Sequence, residues 1–253
     1  MAPLSVLSTL STASARGSAA ADHLDQLAAA LLSGAAAPGE PPTPGLPEDG
    51  TYAVLALTSV LQQPPDTLEL PDALSALWHH PVRAGGRPHA YAIVLLGTAP
   101  LDDLVRALDP PPGTRAGVSA AVRGLAAVPR ARELAERALR VSPDEPVAVL
   151  AERLPAALVA DSPDLAALIL ARALGPVLEL PDADRDSLLN TLRAWLESGG
   201  STKRAGDRLF YHPNTVLNRL RRYEHLTGRV LADPTTVVEL TLALEAHRLT
   251  TRR

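Results

Sequence analysis

The stretch LFYHPNTVLNRLRRYEHLTG, residues 209–228, decides how the C-terminal part of this chain is read. Projected at about 100° per residue, Val216, Leu220 and Tyr223 fall within about 60° of arc and form one apolar stripe. Asn214, Asn218 and Arg221 lie opposite, with Thr215 and Arg222 on one shoulder and Leu217 on the other. Arg219 projects nearer the core edge, where an ion pair or a phosphate contact suits it better than a base edge. Pro213 is tolerated at a first helical position and Gly228 supplies a stop. Just before it, STKRAGDRLF predicts a short helix. A short helix, a tight turn and a basic amphipathic helix make a helix-turn-helix pattern. On spacing alone, a solvated basic helix with i,i+4 pairs explains the same residues equally well.

Working outward, the region from Pro163 reads as wholly helical. SPDLAALILARAL carries a Ser-Pro-Asp start and runs to Gly175. DRDSLLNTLRAWLESGG places Leu188, Leu189, Leu192, Trp195 and Leu196 in one stripe with Gly199 as its stop. DPTTVVELTLALEAHRL closes the set, with Asp233 as N-cap and Pro234 just inside. The middle region alternates instead. TYAVLAL (51–57), AYAIVLL (90–96), TRAGVSA (114–120) and PVAVLA (146–151) are short apolar runs suited to a buried sheet. Helix-like PDALSALWHH, PLDDLVRALD and PRARELAERALRV lie between them, predicting an α/β sandwich of about four strands. Upstream, DHLDQLAAALLSG predicts a helix with Leu24, Leu27, Leu31 and Leu32 on one face, and AAAPGEPPTPGLPEDG is a linker too broken for helix or strand.

Composition bounds the function. The 253 residues are 46% hydrophobic, enough for real cores, but only 3% aromatic, so Leu, Val and Ala must build them. No Cys is present, which excludes disulfides, Cys-ligated zinc and thiol chemistry. No run of about 18 apolar residues predicts a membrane span. The start, MAPLSVLSTLSTASARG, imitates an export signal but lacks a basic leader, and Ser and Thr break its apolar segment. Net charge is −4, yet from Arg185 onward 12 Lys/Arg face 7 Asp/Glu, leaving 12 against 21 before it. Such a split hints at a nucleic-acid-binding end.

The search for catalytic motifs is negative: no P-loop, HExxH, GxGxxG or GxSxG pattern occurs. WHHP (78–81) with His89 reads as structural, because adjacent His residues on a helix point apart and ligands need convergence. RAGGRPHAYAIVLLG has the Gly-Gly turn of a nucleotide cyclase, but Arg87, Pro88 and His89 stand where the metal-holding acids would be needed. Neither an enzyme nor a cofactor or metal is expected.

LLNTLRAWLESGGSTKRAGDRLFYHPNTVLNRLRRYEHLTG, followed by LADPTTVVELTLALEAHRL, resembles the C-terminal helix-turn-helix domain of the PucR/CdaR family of bacterial transcriptional regulators. Leu189, Thr191, Leu192, Trp195, Leu196, Gly199, Gly200, Leu209, Phe210, His212, Asn214, Thr215, Arg219, Leu220, Thr227 and Gly228 carry the match. The middle region is similar, more loosely, to that family's degenerate cyclase-like domain through TRAGVSAAVRGLAAVPRARELAERAL. Family members usually carry a separate sensory domain upstream, for which this chain has no room. The family commonly places a basic residue at the position of Pro213, and Arg-Tyr or similar at Leu217 and Asn218.

The expected architecture is therefore α/β plus all-α: an N-terminal helix and linker (1–50), a small cyclase-like α/β sandwich (51–160) and a helix-turn-helix domain (161–253). The expected function is a cytoplasmic, sequence-specific DNA-binding transcriptional regulator, with double-stranded DNA as partner and no named effector. It would act as a homodimer or higher homo-oligomer, with the α/β domain and N-terminal helix as contact surfaces. The expected DNA-binding residues are Lys203, Arg204, His212, Asn214, Thr215, Asn218, Arg219, Arg221 and Arg222. Asn pairs with adenine and Arg with guanine, while a helix N-terminus with Lys203 and Arg204 holds phosphates. The alternatives are an adaptor that has lost DNA readout and a non-catalytic nucleotide-binding sensor.

Overall fold

The computed structural model describes residues 19–35, 46–61, 68–70, 74–81 and 89–251. The export-like start, most of the Pro-rich linker and the Gly85-Gly86 turn lie outside them. The chain divides into two compact units, residues 1–153 and 154–253.

The first unit is a mixed sheet with helices. Its strands are β1 (Thr51–Ser59), β2 (Ser75–His79), β3 (Ala90–Leu95), β4 (Thr114–Val118), β5 (Val122–Arg123) and β6 (Val147–Val149). The order is β2-β3-β1-β4-β6, with the short β5 also on β1; only β4 and β6 run parallel. Among the described residues six strands stand where about four were expected. β1 reads as an unbroken apolar run because both faces are covered: Tyr52, Val54 and Ala56 meet one core, and Ala53, Leu55 and Leu57 meet the other. Helices α1 (Ala19–Ser33) and α3 (Val128–Val141) supply Leu31, Leu32, Ala131 and Ala135 to the first core, while α2 (Leu101–Ala107) gives Leu104 to the second. Gly117 lets α3 lie directly on β4: a Cβ there would meet the carbonyl oxygen of Ala135 at 2.3 Å.

Two expectations are corrected here. PDALSALWHH has helical spacing, but Ser75–His79 is a strand, with Leu77 opposite Ile93 and Trp78 opposite Ala92. Pairing with the edge of β3 sends Leu77 and Trp78 to opposite cores, and that tertiary gain overrides local periodicity. His79 and His80 are therefore not on a helix. Both turn to Asp25 of α1, whose Oδ1 lies 3.2 Å from His79 Nδ1 and accepts the His80 backbone N–H at 2.8 Å. Among the described residues no group of three or more His, Cys, Asp or Glu could hold a metal ion. The leucine face of α1 packs on the sheet: Leu31 and Leu32 are buried there, with Leu24 and Leu27 alongside.

The second unit is all-helical: α4 (Leu154–Asp161), α5 (Pro163–Leu178), α6 (Asp182–Glu197), α7 (Thr202–Leu209), α8 (Pro213–Thr227) and α9 (Pro234–Thr251). α4 is a helix the sequence reading did not separate. No single helix among the described residues is long and apolar enough to cross a membrane, and the apolar pair α4–α5 bends by 112°. One core joins Leu174 and Val177 of α5, Leu188, Leu189 and Leu192 of α6, Val216, Leu220 and Tyr223 of α8, and Leu240 and Leu244 of α9. The stripe read from residues 209–228 is thus the buried face of α8.

The connection between α7 and α8 is tight. A Cβ on Gly206 would meet the carbonyl oxygen of Tyr211 at 2.6 Å, so the chain turns back against bare backbone. The Tyr211 N–H closes the turn on the Gly206 carbonyl at 2.9 Å. Phe210 caps α7 in the left-handed region, φ 57° and ψ 38°, and is 95% exposed. A left-handed conformation costs a side-chain-bearing residue about 1–2 kcal/mol. Two variants test this geometry by thermal unfolding of the full chain. Gly206→Ala should destabilise the helical unit by about 2 kcal/mol through forced separation of α7 and the turn. Phe210→Gly should stabilise it by about 0.5–1 kcal/mol, glycine's chain entropy offsetting part of the relief.

Candidate nucleic-acid interface

α7 starts at Ser201, whose Oγ accepts the Arg204 N–H at 3.3 Å. This cap satisfies one of the free donors of the first turn and fixes where Lys203 and Arg204 leave the helix, both exposed. α8 starts at His212, whose Nδ1 accepts the Asn214 N–H at 3.2 Å. Pro213 has no N–H to satisfy, so one side-chain acceptor serves the start of the helix. With Nδ1 used as acceptor, the neutral imidazole keeps its proton on Nε2, leaving a donor for an outside acceptor. His212 is exposed.

The outward face of α8 carries Asn214, Thr215, Asn218, Arg221 and Arg222, all exposed. Asn214, Asn218 and Arg221 follow one another at i, i+4 and i+7, a single stripe along the helix. Among the described residues the Arg221 side chain makes no hydrogen bond or ion pair. Arg222 differs: its Nη2 donates to Asp184 Oδ2 of α6 at 2.7 Å, with both side chains about half exposed. An exposed pair of this kind contributes little to stability, so its rearrangement toward a phosphate costs little.

Arg219 has another place. Its Nη1 donates to Thr191 Oγ1 of α6 at 3.1 Å, and its guanidinium lies 4.5 Å from the centroid of the Tyr211 ring. Thr191 is fully buried and its hydroxyl donates in turn to the Ser187 carbonyl at 2.8 Å. Arg219 therefore clamps α6, the turn and α8 together, in keeping with its angular position near the core edge. A guanidinium held by stacking and a hydroxyl has little freedom left to read a base.

Two partners and one exposed side chain take roles that the sequence did not assign. Tyr211 is the stacking platform, Asp184 engages Arg222 across 38 residues of sequence, and Phe210 stands nearly bare at the turn. Only Phe210 left a local signal: a large side chain sits at a helix end where glycine is usual. The remaining departures have plain geometry. Pro213 lies beside α7, its N and Cα within 3.4 and 3.6 Å of a Cβ placed on Gly206. Leu217 is 37% exposed on the shoulder of the stripe, and Asn218 is at its centre. Chemically, two amides, a guanidinium and one aliphatic chain form a face able to pair with adenine and guanine edges and to cover a thymine methyl.

Comparison with known proteins gives this geometry a family. The model of the PucR C-terminal helix-turn-helix domain matches residues 188–246. A purine catabolism regulatory protein of Bacillus subtilis is 44% identical over 63 residues, which cover 25% of this chain and 12% of that protein. An uncharacterized protein of Mycobacterium tuberculosis is 47% identical over 49 residues, 19% of this chain and 11% of its own. These curated relatives are thus matched over a small fraction of their length. The crystal structure of a regulator of polyketide synthase expression from Bifidobacterium adolescentis is 18% identical with a TM-score of 0.32, over 82% of this chain and 88% of that one. Residues 188–246, with the α7–turn–α8 pair at their centre, are a PucR C-terminal helix-turn-helix domain.

Proposed function

We propose that this chain is a sequence-specific DNA-binding transcriptional regulator that acts as a dimer or higher homo-oligomer. The observation that carries this reading is the exposed Asn214–Asn218–Arg221 stripe on a helix locked to its neighbours by Arg219 and Val216, Leu220 and Tyr223. α8 enters the major groove, where Asn214, Asn218 and Arg221 meet base edges and Leu217 packs on a methyl group. Lys203, Arg204, His212, Thr215 and Arg222 hold phosphates and set the register. Arg219 positions the helix and adds its charge to the field. One such module buries a small area of DNA, so a two-fold assembly on a two-fold site supplies the affinity.

A second reading, an interaction protein that keeps the fold without DNA readout, draws on the engagement of Arg219 and Arg222 and on Pro213 and Leu217 in place of charge. Selection of bound fragments from a genomic library at moderate salt separates the two. The first reading expects enriched fragments sharing a site, and loss of enrichment in Asn214→Ala/Arg221→Ala, each base contact being worth about 1–3 kcal/mol of discrimination. No enrichment supports the second reading. On an enriched duplex, Lys203→Ala and Arg204→Ala should each weaken binding about equally across sequences. Each should also reduce the slope of log affinity against log salt by about 1. An unchanged slope removes that residue from the phosphate contacts.

A further inference from the structure

The first two helices of the second unit leave large apolar side chains uncovered. Leu154 and Leu158 of α4 and Leu165 and Leu168 of α5 are 58–67% exposed, although these helices bury Val159, Leu174 and Val177 on their other sides. Large aliphatic side chains left exposed at helical spacing, Leu165 and Leu168 on α5, mark an interaction surface. Their charged neighbours identify the occupant. Asp164, Leu168 and Arg172 stand at i, i+4 and i+8 on α5, one continuous ridge spanning about 80° of arc. All three are exposed. Among the described residues the Asp164 carboxylate makes no hydrogen bond or ion pair. Arg172, 70% exposed, touches only the edge of Glu239, Nε at 3.4 Å, and shares that carboxylate with Arg229.

In a two-fold contact, a residue four positions before the axis meets the residue four positions after it in the other copy. Asp164 and Arg172 are four positions before and after Leu168. From this symmetry we infer that α5 pairs antiparallel with α5 of a second copy of this chain, the two helices crossing at Leu168. Leu168 then packs on Leu168 of the second copy, and each Asp164 faces an Arg172 about 6 Å along the axis from the crossing. Leu165, three positions before the axis, meets Ala171, three after it, so a large side chain opposes a small one. A face with one sign of charge would repel itself under the same symmetry; here the two signs exchange. This assignment rests on the homo-oligomeric part of the proposed function and names the surface that part requires.

Sedimentation equilibrium of the full chain without DNA tests it. The chain should sediment at twice its 26.5 kDa mass. Leu168→Asp should raise the dimer dissociation constant by about tenfold or more, since it buries an unpaired charge at the axis. Asp164→Arg and Arg172→Asp should each weaken the dimer, and the double variant should restore it. A mixture of the two single variants should form a heterodimer tighter than either homodimer, because one copy then carries only positive and the other only negative charge on the ridge. Misfolding of a single variant cannot produce that gain. A monomeric wild-type chain, or a dimer indifferent to the swaps and the mixture, overturns the assignment. Because no DNA is present, failure of DNA recognition leaves these outcomes untouched. A dimer that obeys the swaps but enriches no fragment would instead count against the DNA reading alone.

Discussion

The contact on which the reading of this chain depends is the approach of α7 to the turn at Gly206. Bare backbone there lets the chain reverse between Leu209 and Pro213, with the Tyr211 N–H on the Gly206 carbonyl at 2.9 Å. Everything outward of the turn follows. Tyr211 comes to lie under Arg219, Arg219 reaches Thr191, and α6, the turn and α8 become one body. The buried stripe of α8 then has a fixed rotation, and so does the polar stripe behind it. A helix held only by its apolar face would tolerate some rotation; one also clamped by a directional hydrogen bond and a stacked guanidinium tolerates much less.

That clamp also explains parts of the sequence pattern that composition alone leaves unexplained. Thr191 and Arg219, 28 positions apart, are bonded to each other. Trp195 serves the neighbouring corner, its Nε1–H donating to the Gly200 carbonyl at 2.7 Å across the α6–α7 turn. Arg219 thus holds the motif's shape, and in the proposed function base recognition is assigned to Asn214, Asn218 and Arg221. Pro213, placed where family members commonly carry charge, starts α8 beside α7, so its contribution is to the turn.

How much of this was legible in the sequence depended on how local each cause was. The Val216, Leu220 and Tyr223 stripe, the Asp233-Pro234 start of α9 and the apolar run of β1 are local signals, and the structure places them as read. The strand Ser75–His79 was not legible, because Leu74, Leu77 and Trp78 fit a helical stripe and only the edge of β3 decides otherwise. α4 was obscured by its shortness and by Pro155 at its second position, four residues after Ala151 ends an apolar strand-like run. At the site, the stripe on α8 was legible from angles alone, and so was the displacement of Arg219 toward the core. Its stacking on Tyr211 and the pairing of Arg222 with Asp184 were not, because both depend on how separate segments meet in space.

The central proposal is that the polar stripe of α8 meets base edges, with α6 and the apolar core only supporting it. The chain contains just three asparagines, Asn190, Asn214 and Asn218, of which Asn190 lies on α6 and accepts from Arg193. Selective ¹⁵N labelling of asparagine therefore gives three side-chain amide signals, two from the stripe and one control. On titration with a duplex selected by the protein, the Asn214 and Asn218 amide signals should shift and the Asn190 signal should stay in place. Saturable binding of that duplex with the Asn214 and Asn218 signals unmoved would contradict the account.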